Sequence, residues 1–290
     1  MKPFTAGVNT SAIYALTFGL VLAYQSLVFD LHAIPLWPIA LFVLIFGVPH
    51  GAADTLIFKN IHSNAASREW LVFGVCYIIA VIAIIALWLL SPLLFVCYLL
   101  IVSAIHFGDD LNGEPELFWL AKGYGFSVVL CPSLLWKSEV EDLFVPLVGL
   151  PSAIELAIFM HFACLIALPT LGLLIYVNRN VLSITRVETI FWATLTLILL
   201  KPIFGFALYF CYWHSRLHIL RLIRLRYIDS SIVSMTLIIA PMIMTLICVL
   251  YVFYFLGHLN DSSVARVLFV GLGGLTLPHL YFIAALNKPH

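Results

Sequence analysis

Charge is scarce in this chain. Its 290 residues include 14 Lys and Arg against 14 Asp and Glu, for a formal net charge of +0. No basic excess offers itself to nucleic acid and no acidic excess to cationic partners, so charge acts only locally. Cysteine is equally uninformative as a scaffold. Cys76, Cys97, Cys131, Cys164, Cys211 and Cys248 lie singly inside apolar runs with no CxxC pair. That excludes a thiolate zinc site or a disulfide framework and leaves packing as small apolar groups. Internal repeats, low-complexity tracts and long linkers are also missing, so residues 1–290 are expected to form one integral-membrane domain. The apolar run from about Ile13 follows a lone lysine and no small-x-small cleavage site, and is read as a retained first span.

What the chain has instead is apolar length. Hydrophobic residues make up 63% and charged residues 10%, with a mean hydropathy of +1.12, which describes a polytopic membrane protein. Only helices and closed barrels satisfy their backbone in lipid, and these runs are helix-length. An all-α bundle of about 8 to 10 spans is expected, at about residues 11–29, 36–58, 70–90, 93–110, 119–136, 152–177, 187–200, 203–226, 232–256 and 264–286. The weakest division is at Lys201-Pro202; one bent helix there would reduce the count by one. Cation placement sets the orientation. With the N-terminus inside, Lys2, Lys59, Arg68, Arg179, Arg186, Arg221, Arg224, Arg226 and Lys288 fall on the inner side, against mainly Lys137, Lys201 and Arg266 outside. Both termini are then cytoplasmic, and the cell membrane is the expected location.

Histidine is the residue whose placement needs explaining. "YFCYWHSRLHILRLIRLRY" puts His214 and His218 four residues apart, on one helical face and within reach of a common ligand. "FGVPHGAADT" adds His50, "SAIHFGDD" adds His106 and "LTLPHLYF" adds His279. All four spans run from outside to inside, and each histidine falls roughly 17 to 23 Å from its span's outer end. A lone intramembrane histidine usually hydrogen-bonds a neighbouring helix, which is the reading for His161; five at one depth on four helices point to function. His32, His62, His258 and His290 are read as solvated loop or chain-end residues.

Neutral imidazoles without thiolate suit iron or copper, with zinc not excluded by ligand type. Asp54 is four residues beyond His50 and Asp109 three beyond His106; on continuing helices each would accept its own histidine's second ring N–H. The competing reading makes both aspartates interfacial charges at span ends. Gly51 and Gly108 leave room beside the imidazoles for a ligand or a neighbouring helix. Phe107, Tyr209, Tyr212, Trp213 and Tyr281 are lining candidates, against the alternative of packing or interfacial anchoring. Arg216 pairs with a carboxylate or reaches the inner interface.

In this order and spacing, "GVPHGAAD", "HFGDD", "WHSRLH" and the late "LPH" resemble the Brp/Blh family of membrane β-carotene 15,15′-dioxygenases, from the second helix to the last. The resemblance implies non-haem Fe(II) held by His50, His106, His214 and His218. It also implies O₂ as co-substrate, β-carotene or a related carotenoid as substrate, and cleavage of the central double bond to two retinal molecules. His279 matches a family motif and is read as supporting the site or lining the substrate. Retinal as product would connect the chain functionally to a retinal-binding opsin.

Three other readings compete. A di-iron desaturase or hydroxylase needs several histidine boxes, whereas this chain has one HxxxH and no HH pair. A b-haem carrier needs pairs of axial histidines on facing helices. A transporter or proton pathway would use the histidines with Asp54, Asp109 and Glu155, but predicts a polar route across the membrane and not a single layer.

Overall fold

A computed structural model describes residues 10–27, 35–111, 115–228, 231–256 and 260–286. His32, His258 and His290, expected in loops or at the chain end, lie outside these residues, as do Lys2 and Lys288. Among the described residues every regular element is helical. Trp37–Ile61, Ser67–Leu90, Pro115–Leu135, Leu150–Val177, Ile232–Tyr254 and Asp261–Leu286 are long and apolar enough to cross a membrane, and Ser11–Leu27 and Pro92–Gly108 are shorter apolar helices. The protein is a polytopic membrane bundle.

The elements are α1 (Thr10–Leu27), α2 (Trp37–Phe46), α3 (Pro49–Ala52), α4 (Asp54–Ile61), α5 (Ser67–Leu90), α6 (Pro92–Gly108), α7 (Phe118–Leu130), α8 (Pro132–Leu135), α9 (Lys137–Val148), α10 (Leu150–Val177), α11 (Ile184–Leu199), α12 (Pro202–Leu208), a π-helical segment (Tyr209–His214), α13 (Ser215–Arg224), α14 (Ile232–Leu256) and α15 (Asp261–Leu286). Leu200 and Lys201 are extended (ψ 147° and 144°), and Pro202 starts α12, so α11 and α12 are separate helices and not one bent rod. α9 was not expected from hydropathy, because Lys137, Glu139, Glu141 and Asp142 interrupt its apolar pattern.

Two joints position the functional residues. α6 and α7 meet through small residues four apart on both helices: Ala104 and Gly108 face Ala121 and Gly125. A Cβ on Gly108 would stand 2.7 Å from the Ala121 carbonyl oxygen, and one on Gly125 would overlap the Ala104 carbonyl oxygen. This is the close backbone approach that small residues permit between membrane helices. At the second joint Gly47 leaves no room for a Cβ, because the Phe210 ring lies against it. That brings the start of α3 onto the π-helical segment.

α5 and α14 are different in kind. Only 6% of the apolar window of each is buried, and side chains such as Leu71, Ile79, Ile247 and Tyr251 are exposed. Apolar helices exposed in this way face lipid.

Candidate metal centre

The second span does not run as one helix. α3 ends at Ala52, and Ala53 (φ −70°, ψ −5°) resets the phase before α4. His50, on α3, is buried; its Nδ1–H donates to the Gly47 carbonyl, and the Ser215 hydroxyl lies 3.1 Å from the same nitrogen. The expected His50 to Asp54 pairing is therefore corrected. Because of the break, Asp54 instead accepts from His279 Nδ1 at 2.7 Å, with its other oxygen taking the Tyr77 hydroxyl at 3.2 Å.

The His106 to Asp109 pairing is corrected too. α6 closes in a tight i→i+3 turn, in which Asp109 N bonds His106 O at 3.0 Å and Asp110 N bonds Phe107 O at 3.2 Å. That turn presents Asp110, which accepts from His214 Nδ1 at 2.9 Å and from the Tyr209 hydroxyl at 2.8 Å. Asp109 is half-buried at the end of α6. The π-helical segment explains how two residues five apart reach the two oxygens of one carboxylate: i→i+5 winding puts Tyr209 and His214 on one face. Tyr124 extends the chain, its hydroxyl 3.5 Å from that of Tyr209.

All five intramembrane histidines of the expected layer converge. His50, His106, His214, His218 and His279 are each less than a tenth exposed. Ring centroids lie 4.5 Å apart for His106 and His214, 5.1 Å for His50 and His214, and 5.8 Å for His50 and His218. His279 lies 4.9 Å from His106, 5.1 Å from His50 and 5.2 Å from His218. Among the described residues, the donor nitrogens of His50, His106 and His214 fall within 4.8 Å of one another, a group that can hold a metal ion. His106 Nε2 and His214 Nε2 are 2.9 Å apart. Two imidazoles bound at about 2.1 Å and at right angles to one ion would stand about 3 Å apart. Among the described residues, His218 Nε2 and His279 Nε2 are buried without a hydrogen-bond partner, as donor atoms turned toward an ion would be; His106 Nδ1 is also buried without one, but it is the ring nitrogen away from the Nε2 that meets His214. His161 is separate: its Nδ1 lies 2.9 Å from the Ser133 carbonyl oxygen, the helix contact expected of it. His62 is exposed at the end of α4.

One side of the cluster opens on an apolar cavity of about 960 Å³. His50, His106, His279 and Asp54 stand at its edge. Ile78, Ile82 and Ile85 of α5 and Met244, Cys248 and Val252 of α14 form a wall, and the cavity extends to Phe144 and Arg266. Of the lining candidates, Phe107 and Tyr209 border this space. Tyr212 and Trp213 instead pack on the Tyr14 ring of α1, at 4.8 and 5.1 Å, and the Arg216 guanidinium lies 5.5 and 5.8 Å over those two rings. Tyr281, 71% exposed, faces out of the bundle. Gly51 has nothing within 4 Å of a built Cβ and lines the cavity, whereas Gly108 serves helix packing.

Residues 41–287 match the family described as Beta-carotene 15,15'-dioxygenase. The chain belongs to this family. The dioxygenase match covers all five clustered histidines, Asp54 and Asp110; α1 lies outside it. A beta-carotene 15,15'-dioxygenase of uncultured marine bacterium 66A03 is 28% identical over 269 residues, covering 88% of this chain and 94% of that protein. The probable beta-carotene 15,15'-dioxygenase Blh of Halobacterium salinarum (strain ATCC 700922 / JCM 11081 / NRC-1) is 25% identical over 224 residues, 67% of this chain and 63% of that one. No solved structure is significantly similar. The residues of this dioxygenase that sequence reasoning missed are Asp110, Ser215, Tyr77 and Tyr124. Only Asp110 carried a local signal, as the second aspartate of "HFGDD".

Proposed function

We propose that the protein is a non-haem Fe(II) dioxygenase that cuts the central 15,15′ double bond of β-carotene, or of a closely related carotenoid, with O₂ to give two retinal molecules. One observation carries this reading: a buried all-imidazole cluster sits at the edge of an apolar cavity of about 960 Å³ walled by lipid-facing helices. The donor set fits a divalent first-row ion, because the imidazoles are neutral ligands and, among the described residues, the carboxylates at the cluster bond to ring N–H groups. His50, His106, His214 and His218 would hold the ion, as the family motifs imply. When bound, iron supplies the electrons and open position that O₂ needs for activation.

The remaining work belongs to the chain. One O₂ and one C=C become two aldehydes, with both oxygen atoms retained, so no external reductant and no side-chain acid, base or nucleophile is required. The cavity orients one double bond of a flat polyene at the histidines, with Phe107 and Tyr209 bordering that end. Its apolar walls exclude water from the reacting bond. A carotenoid dissolved in the bilayer reaches this space between α5 and α14, both of which present apolar side chains to lipid and to the cavity. The cation asymmetry supports a cell-membrane protein with both termini cytoplasmic. Retinal released into the same membrane is available to an opsin.

The test is pigment analysis by HPLC of β-carotene-producing cells expressing the chain or its His214→Ala variant. Loss of β-carotene with retinal or retinol appearing, only for the unmutated chain, is the expected result. Unchanged carotene beside inserted, iron-loaded protein would rule the reaction out.

A further inference from the structure

We infer that His279 is a fifth nitrogen donor to the metal, presented by Asp54 and Tyr77, and not a residue that merely lines the substrate space. This rests on the metal reading above and extends it by one ligand.

Position comes first. The His279 ring is 3% exposed and its centroid is 5.1 Å from His50, whereas His218, a ligand implied by the family motifs, is 5.8 Å from the same ring. His279 also comes to 4.9 Å of His106. By this measure it stands closer to the tight trio than one of the four implied ligands does.

Protonation follows from the hydrogen bonds. The Nδ1–H of His279 donates to buried Asp54 Oδ1 at 2.7 Å, which fixes the tautomer and leaves the lone pair on Nε2. That Nε2 is fully buried and has no hydrogen-bond partner among the described residues. A buried acceptor left unpaired is unfavourable, and an ion in the cluster would satisfy it. The structural alternative is visible elsewhere in the chain: His161 is only half-buried and makes a backbone contact to Ser133, with no carboxylate or second imidazole hydrogen-bonded to it among the described residues.

The construction is also duplicated. His214 is backed by Asp110, whose second oxygen takes the Tyr209 hydroxyl; His279 is backed by Asp54, whose second oxygen takes the Tyr77 hydroxyl. The two Tyr–Asp–His units come from different helices and approach the cluster separately. Together their carboxylates carry two negative charges, which balance a divalent ion held by neutral imidazoles. A buried centre with no net charge is the least unfavourable one in a membrane interior. Five nitrogens would still leave a six-coordinate ion room for O₂.

The experiment uses the full chain in detergent, labelled with ¹⁵N-histidine and loaded anaerobically with Fe(II). Iron stoichiometry and affinity are measured by chelator competition, and coupled nitrogens are counted by pulsed EPR of the nitrosyl complex. His279→Ala should lose one histidine coupling and weaken iron binding by about tenfold or more, with free imidazole restoring affinity. His279→Gln keeps an amide to donate to Asp54 and should lose the same coupling, which covers the case of a misfolded alanine variant. Tyr77→Phe should retain five couplings. Folded His279 variants with the unmutated coupling pattern would overturn the inference while leaving a four-histidine centre. An unmutated protein that binds no iron, and does not differ from His214→Ala in this assay, would instead overturn the metal reading itself.

Discussion

On the side of the cluster formed by α2, α6, α7 and the π-helical segment, packing leaves no space: the Phe210 ring lies against Gly47, and the backbone of Gly125 lies under the Ala104 carbonyl. Tyr124, Tyr209, Asp110 and His214 form one buried hydrogen-bonded chain there. On the side formed by α5, α14 and α15, Gly51 faces open space, the cavity occupies about 960 Å³, and two walls are almost wholly lipid-exposed. The bundle separates two demands. Imidazoles must be held to within a fraction of an ångström, which needs a stiff frame, whereas a long apolar substrate needs a space that lipid-soluble molecules can enter.

The most severe way to break this comparison is to disturb the packed side. Gly125→Ala places a Cβ against backbone that cannot give way, and should destabilise the protein by about 3 kcal/mol or more, with iron content and turnover both lost. Gly51→Ala, on the open side, should remain folded and iron-loaded. Thermal unfolding in detergent with iron analysis checks the pair; equal losses from both would mean the two sides are not built differently.

Next in size is the carboxylate behind His214. Asp110→Asn keeps the shape but removes the charge that orients and strengthens the imidazole, and should weaken iron binding by about 10- to 100-fold. Asp109→Asn should change it by less than about threefold. Chelator competition on the two variants separates them, and a larger effect at Asp109 would contradict the observed turn.

A substitution on the open side should act on substrate alone. Met244→Trp fills part of the cavity between α5 and α14, and should reduce kcat/KM for β-carotene by about tenfold, roughly 1.4 kcal/mol, at unchanged iron stoichiometry. Loss of iron in this variant would show that the cavity and the metal centre are one mechanical unit.

The two sides also differ in how far the sequence reveals them. His50, His106, His214, His218 and His279 are legible because helical rise converts sequence position into depth, and their common depth survives errors of a few residues in each span. What fails is phase. Ala53 resets the helix between His50 and Asp54, and the i→i+3 turn after Gly108 selects Asp110 over Asp109. Both depend on local winding that residue spacing does not encode. The pairing of Asp54 with His279 spans 225 residues and arises only when α15 packs beside α4 and α5. Tyr212, Trp213 and Tyr281 show the same limit: proximity in sequence to a clustered histidine says nothing about which face of the helix is turned to the cavity. Of the carboxylates that the transporter reading would use for a polar route across the membrane, Asp54 is instead committed to a histidine of the single cluster.

The smallest effect should be the most discriminating, because Tyr209 belongs to both sides. Its ring borders the cavity, and its hydroxyl donates to Asp110 Oδ2 at 2.8 Å. Tyr209→Phe keeps the ring and removes one hydrogen bond to a charged group, worth about 1.5 to 3 kcal/mol when both partners stay buried. Only part of that reaches the metal, because Asp110 retains its bond to His214. Iron affinity should therefore fall by a few-fold while KM for β-carotene stays within about twofold. A change confined to KM would mean that Tyr209 acts through its ring on the substrate and that the hydrogen-bonded chain from Tyr124 to His214 stiffens the frame without tuning the metal. A change confined to iron affinity would place the boundary between the two sides at this one side chain, with its oxygen serving the metal and its face the polyene.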